Sequence, residues 1–245
     1  MSRRTLSFAG VVGAALLTAG ALAGCATGAS SPSSSTGPSS STPDATGVAP
    51  ATQIGAAWLD GGRSIAVVTS GSSSCPPVVS GEPTLADGTV SVTLAESPRD
   101  NCTRDMAPRA TLVGLPSGTD VARAWTVSVE GVAEGRAMLD GLTSAAPTGQ
   151  ADFSPSAGWV DDSLIAILTY GSSGCPPTVE SVTTAGSDIA VQFATPPADQ
   201  VCTMDIAPRV TLAEVGGDVP AGEVSLTLSG GNVDATGPIT VLGTR

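Results

Sequence analysis

An all-β protein is predicted, built as two tandem small β-sandwich domains behind a signal peptide and a disordered linker. Three observations predict it. From residue 51 the chain is one unit written twice, each copy carries short runs of alternating apolar and polar residues, and Gly, Pro, Asp and Ser fill the gaps. No stretch holds a helical period. About six or seven short strands in a repeat of roughly 95 residues fit a small sandwich, with an immunoglobulin-like arrangement as the default.

The repetition is close. Gly71-Ser72-Ser73-Ser74-Cys75-Pro76-Pro77 returns as Gly171-Ser172-Ser173-Gly174-Cys175-Pro176-Pro177, and Cys102 to Leu112 returns as Cys202 to Leu212, both at an offset of 100. Trp58 matches Trp159 at 101, so the second copy has lost one residue near Gly61-Gly62. A period this long marks tandem domains, since solenoid units repeat every ~20–50 residues. The predicted division is 51–147 for the first β-domain and 148–245 for the second. They meet near Thr143–Ser156, where Ala145, Ala146, Pro147, Gly149 and Pro155 suggest a linker with few contacts across it.

The strands follow in order. Ile65–Val68 and Leu164–Leu168 are continuous apolar runs, the mark of a strand covered on both sides. Thr89–Leu94, Trp125–Val129 and Val224–Leu228 alternate, as half-buried strands do. Arg109–Val113 and Arg209–Ala213 add one strand per copy, and weaker signals lie at Met138-Leu139 and Ile239–Leu242. Trp58 and Trp159 read as core residues at matching strand starts. Only seven residues are aromatic, so the core is mostly Val, Leu, Ile and Ala.

Charge and composition exclude several functions. There is no His and no Lys, which removes the Ser-His-Asp and Cys-His triads, His-ligated zinc, lysine Schiff bases and the phosphate-loop lysine. All 22 acidic residues lie beyond residue 25, and two of the ten Arg lie before it, so the chain after that point carries 8 − 22 = −14. Nucleic acid would be repelled. No cofactor and no metal site is expected.

The N-terminus indicates location. Arg3 and Arg4 precede an apolar run from Leu6 to Ala23, a signal-peptide pattern. The run ends Leu22-Ala23-Gly24-Cys25, which resembles the lipobox of bacterial lipoproteins. That resemblance implies a diacylglycerol on the Cys25 thiol, cleavage after residue 24 and attachment to the outer side of the cell membrane. Ser2-Arg3-Arg4-Thr5-Leu6 is also similar to a twin-arginine export signal, although folding of disulfide-bonded domains outside the cell suits general secretion better. Residues 26–50 hold eight Ser, four Thr and four Pro, a composition that cannot offset the entropy of ordering. As a flexible coil that tether spans about 25–30 Å.

Four cysteines remain. Each copy carries its own pair at the same spacing, so Cys75–Cys102 and Cys175–Cys202 is the economical pairing. Each bridge is worth about 3.5 kcal/mol in the chain-entropy picture. A bridge would gather hydroxyls, a carboxylate and a guanidinium: Ser72, Ser73, Asp105 and Arg109 in one copy, Ser172, Ser173, Asp205 and Arg209 in the other. Such a cluster suits a polar ligand such as a glycan. The structural alternative has the aspartate capping a turn, the arginine pairing with it and the serines serving as turn residues. Asp60, Asp161 and Asp162 read as hairpin-turn residues.

The paired Gly-Ser-Ser-x-Cys-Pro-Pro and Cys-Thr-x-Asp-x-Ala-Pro-Arg segments resemble those of uncharacterised lipoproteins from high-GC Gram-positive bacteria. That resemblance implies a location and no activity. The expected function is a membrane-anchored, non-catalytic binding or envelope-interaction module whose partner is an envelope protein or glycan. The alternative is an extracellular hydrolase working through acidic residues.

Overall fold

The computed structural model describes residues 53–143, 152–217, 219–233 and 235–245. The expected signal peptide and tether, Cys25 and the centre of the 143–156 junction lie outside the described residues.

The first repeat supplies β1 (Gly55–Leu59), β2 (Ser64–Gly71), β3 (Val78–Val79), β4 (Thr84–Ala86), β5 (Thr89–Ala95), β6 (Ala107–Gly114), β7 (Trp125–Gly131) and β8 (Gly135–Leu139). The second supplies β9 (Ser156–Asp161), β10 (Leu164–Gly171), β11 (Val179–Ala185), β12 (Asp188–Phe193), β13 (Ala207–Glu214), β14 (Ser225–Gly230) and β15 (Ile239–Leu242). β3, β4, β11 and β12 were not expected, although Ile189, Val191 and Phe193 of β12 alternate and are all buried. Trp58, expected at a strand start, is the fourth residue of β1.

The protein is all-β, as expected, but the tandem-sandwich arrangement is not what forms. The chain builds a β-solenoid of about four turns. The ladders follow the sequence locally. β2 lies between β1 and β6, and β10 between β9 and β13, all antiparallel. Further out, β5 pairs in parallel with β7, and β12 with β14. A parallel pairing of β15 with β9 carries the second repeat into one seven-stranded sheet, in the order β11-β12-β14-β15-β9-β10-β13.

Three apolar seams hold the layers together, and the middle one overturns the two-sandwich expectation. In the first seam Trp58, Ile65 and Val67 face Val90, Val92, Leu94, Val127 and Val129. In the last, Trp159, Ile165 and Ile167 face Ile189, Val191, Phe193 and Leu226. Between them a third cluster joins Ala57, Leu59 and Ala66 of the first repeat to Ala166 and Leu168 of the second, with Leu112, Val160 and Leu212 packed on it. The continuous apolar runs explain this. Along β2, Ile65 and Val67 point one way and Ala66 the other, and both faces are buried. A free-standing two-layer sandwich would leave the second face in water, so each repeat uses the other to cover it.

The middle seam is made close by small residues. A Cβ on Gly158 would fall 2.1 Å from the Trp58 carbonyl oxygen, and one on Gly55 would fall 2.5 Å from Val160 Cγ1. Across the same seam the Asp60 N–H donates to Ser156 Oγ at 2.7 Å. These three contacts pair the start of β1 with the end of β9 and the end of β1 with the start of β9. The two strands therefore run antiparallel across the seam, and the repeats face each other about an approximate two-fold axis. Asp140 adds a further tie: its carbonyl accepts from Trp58 Nε1 at 2.7 Å, and its carboxylate accepts from Thr244 of the second repeat at 2.7 Å.

Two outcomes follow from the shared seam. Residues 51–147 and 148–245 expressed apart each expose one wall of it, so neither should show the cooperative calorimetric melt of the whole chain, and mixing them should restore part of it. Gly158→Ala drives a methyl group into backbone and should lower stability by about 1–3 kcal/mol in denaturant unfolding, the range for overpacked cores.

Candidate functional site

The predicted cysteine pairs are both bridged, with Cα–Cα separations of 5.4 Å in each repeat. Each bridge staples the loop after β2 or β10 to the loop that enters β6 or β13. The residues singled out in sequence do come together there. Thr103 Oγ1 donates to Asp105 Oδ1, the Ser73 N–H donates to the same carboxylate oxygen at 3.1 Å, and Ser72 Oγ lies 2.9 Å from Thr103 Oγ1. The second loop repeats this, with Thr203 donating to Asp205, the Ser173 N–H at 3.0 Å from that carboxylate, and Ser172 Oγ 2.8 Å from Thr203 Oγ1.

The arginines do something else. Neither Arg109 nor Arg209 is bonded to the aspartate four residues before it. Arg109 Nη1 donates to the carbonyls of Cys75 at 2.8 Å and Ser72 at 3.3 Å, and its Nε reaches Thr69 Oγ1 at 3.4 Å. Arg209 donates to the carbonyls of Cys175 at 3.0 Å and Tyr170 at 2.9 Å. Each guanidinium is thus an internal clamp on loop carbonyls, and the glycine ending the strand makes room for it. A Cβ on Gly71 would fall 2.6 Å from the Arg109 guanidinium carbon, and one on Gly171 would fall 2.8 Å from Arg209 Nη2. Arg209 is buried and Arg109 half-buried.

The charge state of the loops follows. Hydrogen bonds from Ser73 and Thr103 hold the Asp105 carboxyl well below the ordinary carboxylate range, and those from Thr203 and Ser173 lower Asp205 to about 2. A group so firmly ionised is a poor general acid. With Thr103 and Asp105 turned into the loop, residues 104 and 106 project outward, as do Met204 and Ile206, and Met106, Met204 and Ile206 are strongly exposed. Asp60 sits in the 3₁₀ turn Asp60–Gly62 and pairs with Arg63 at 2.8 Å, and Asp161 accepts from the Ser163 N–H at 2.8 Å, so both are turn residues as read.

A second site was not read in the sequence. A cleft of about 660 Å³ opens where the β2–β6 end of the first repeat meets the β9–β10 turn of the second. Gln53, Ile54, Val68, Ser70 and Pro108 form one wall, and Val160, Asp161, Leu164 and Glu214 the other. Each wall belongs to a different repeat, so no reading of the repeats as separate domains brings them together. The available signal lies in three of the positions where the copies differ: Ser70 against Tyr170, Arg63 against Ser163 and Gly114 against Glu214. No protein family, curated protein or solved structure matches the chain.

The caps set an acid-side outcome. Because both aspartates have folded-state values below the unfolded one, their stabilisation is complete above about pH 4 and drains away as pH falls towards 2. The melting temperature should fall over that window, and the Asp105→Asn, Asp205→Asn double variant should start lower at pH 6 and fall less.

Proposed function

We propose that this chain is an exported lipoprotein, anchored through Cys25 to the outer side of the cell membrane and acting there as a non-catalytic binding module. The observation that carries the location is the pair of disulfides, Cys75–Cys102 and Cys175–Cys202. Such bonds form and persist in oxidising compartments and are rare in the reducing cytosol. The lipobox-like Leu22-Ala23-Gly24-Cys25 and the resemblance to lipoproteins of high-GC Gram-positive bacteria support the anchor. The Ser- and Pro-rich residues 26–50 supply a spacer that lifts the folded body off the headgroups.

Binding rather than catalysis is the reading the side chains favour. The carboxylates of the two stapled loops are occupied as turn caps and held ionised, and their arginines are occupied by carbonyls. The loops are rigid surfaces with outward-facing residues. A partner meeting such a surface loses little conformational entropy in ordering it.

The anchor is tested by metabolic labelling with a palmitate analogue and by membrane fractionation. Wild-type protein should carry the label and sediment with membranes, because two acyl chains suffice for stable attachment. Cys25→Ala should lose the label and appear either as released protein or as uncleaved precursor. Correctly cleaved, membrane-retained Cys25→Ala protein would defeat the anchor.

A further inference from the structure

We propose that the cleft between the repeats is a binding site for a small aromatic amine. The proposal deepens the binding-module reading by naming a ligand class, while the place of the site rests on its own geometry.

The antiparallel facing of β1 and β9 places two equivalent positions on the body, one at each end of the middle seam. At one end lies the open cleft. Its twin lies where the β10–β13 end of the second repeat meets the β1–β2 turn of the first, and there the space is filled from within. Tyr170, the counterpart of Ser70, packs against the middle seam, and the Phe153 ring meets it edge-on at 5.3 Å between centroids. In that seam Tyr170 packs on the cluster that holds Leu59 at the end of β1, and burial, with the Asp60 and Asp152 carboxylates, pushes its phenol above the ordinary value. One end of the molecule therefore shows what the other end lacks. The space that the Tyr170 ring fills at the plugged end is left open by the Ser70 hydroxymethyl at the cleft. The shape that suits it is an aromatic ring.

Charge supplies the second half. At the plugged end Asp60 is neutralised by Arg63 at 2.8 Å, and Gly114 stands opposite Ser64 across the ladder. At the open end the arginine is replaced by Ser163 and the glycine by Glu214, and Leu164 pairs with both Asp161 and Glu214 on its two flanking strands. Both carboxylates line the cleft and, among the described residues, no Arg does, the Arg245 guanidinium being bonded to the carbonyls of Asp162 and Val219. Three of the differences between the repeats thus converge on one place: one removes a ring, one removes a cation and one adds an anion. The apolar part is supplied by Ile54, Val68, Val160 and Leu164. A volume of about 660 Å³ lies within the range of small-molecule sites. An aromatic ring seated on that floor, with an ammonium towards Asp161 and Glu214, satisfies both halves. The carboxylates are exposed, so they bias the choice of ligand more than they set its affinity.

The test uses the full chain in detergent and two probes of nearly equal shape, tryptamine and 3-(indol-3-yl)propanoate, titrated by calorimetry at low salt. Tryptamine should bind saturably and at least fivefold more tightly than the acid, with the difference shrinking as salt rises. Ser70→Tyr, which copies the plugged end, should weaken tryptamine binding at least tenfold while the melting temperature stays within about two degrees. Glu214→Gln should weaken it two- to threefold. Absence of tryptamine binding to wild-type protein, equal affinity for the two probes, or full affinity in a folded Ser70→Tyr chain would each overturn the proposal. Should Ser70→Tyr not fold, the amine-to-acid ratio and Glu214→Gln decide it alone. Binding to a detergent-solubilised chain is independent of acylation, so failure of the lipid anchor would leave this result intact.

Discussion

The burial of both faces of β2 and β10 is the constraint on which the rest of the structure depends. Ile65 and Val67 need one apolar partner layer and Ala66 needs another, and the same holds for Ile165, Ile167 and Ala166. The first need is met inside each repeat. The second is met only by the other repeat, through a seam thin enough that β1 and β9 approach at backbone distance over Gly158. Once those strands cross antiparallel, the remaining geometry follows. The stapled loops lie at opposite ends of the body, and each loop end abuts the first hairpin turn of the other repeat.

That arrangement gives the stapled loops and the cleft different characters. Each loop is closed within its own repeat by a disulfide, an aspartate cap and an arginine clamp, and the two copies share the bond to the aspartate and the arginine bond to the cysteine carbonyl. Such agreement is what a structural requirement produces, because the carbonyls of a tight loop need donors wherever the loop occurs. The ends of the middle seam have no such obligation to match. Position 70 or 170 can carry serine or tyrosine without disturbing the ladder, since it keeps the same register opposite Pro108 or Pro208. At this position the fold leaves the copies free to diverge.

The all-β class and most of the strands were legible in the sequence, the architecture was not, and the failure has physical causes. The runs Ile65–Val68 and Leu164–Leu168 read correctly as strands covered on both sides, and the alternation of Thr89–Leu94 and Trp125–Val129 placed β5 and β7. What a one-dimensional pattern does not carry is the identity of the covering layer. A period near 100 residues pointed to independent modules, yet the apolar runs already required more cover than one module holds. The cysteine pairing was legible because spacing repeated it twice. The role of Arg109 was not, because an acid four residues before a base suggests an ion pair. Asp105 instead lies in the loop while Arg109 lies on β6, and the nearest acceptors to the guanidinium are the carbonyls of Ser72 and Cys75.

The cleft shows how a duplicated chain acquires a site that neither copy has alone. If the repeats were identical, both ends of the seam would be plugged by a ring and neutralised by an arginine, or both would be open. Replacing the ring removes a side chain from a partly exposed position, which costs little in a body whose cores lie elsewhere. Replacing Arg63 with Ser163 is tolerable because Asp161 keeps its turn through the Ser163 N–H and hydroxyl, at 2.8 and 3.0 Å. The acidic wall can therefore lose its cation without losing its turn. A concave, negatively charged opening is thus reached through substitutions that the scaffold absorbs one at a time, while the plugged end preserves the seam.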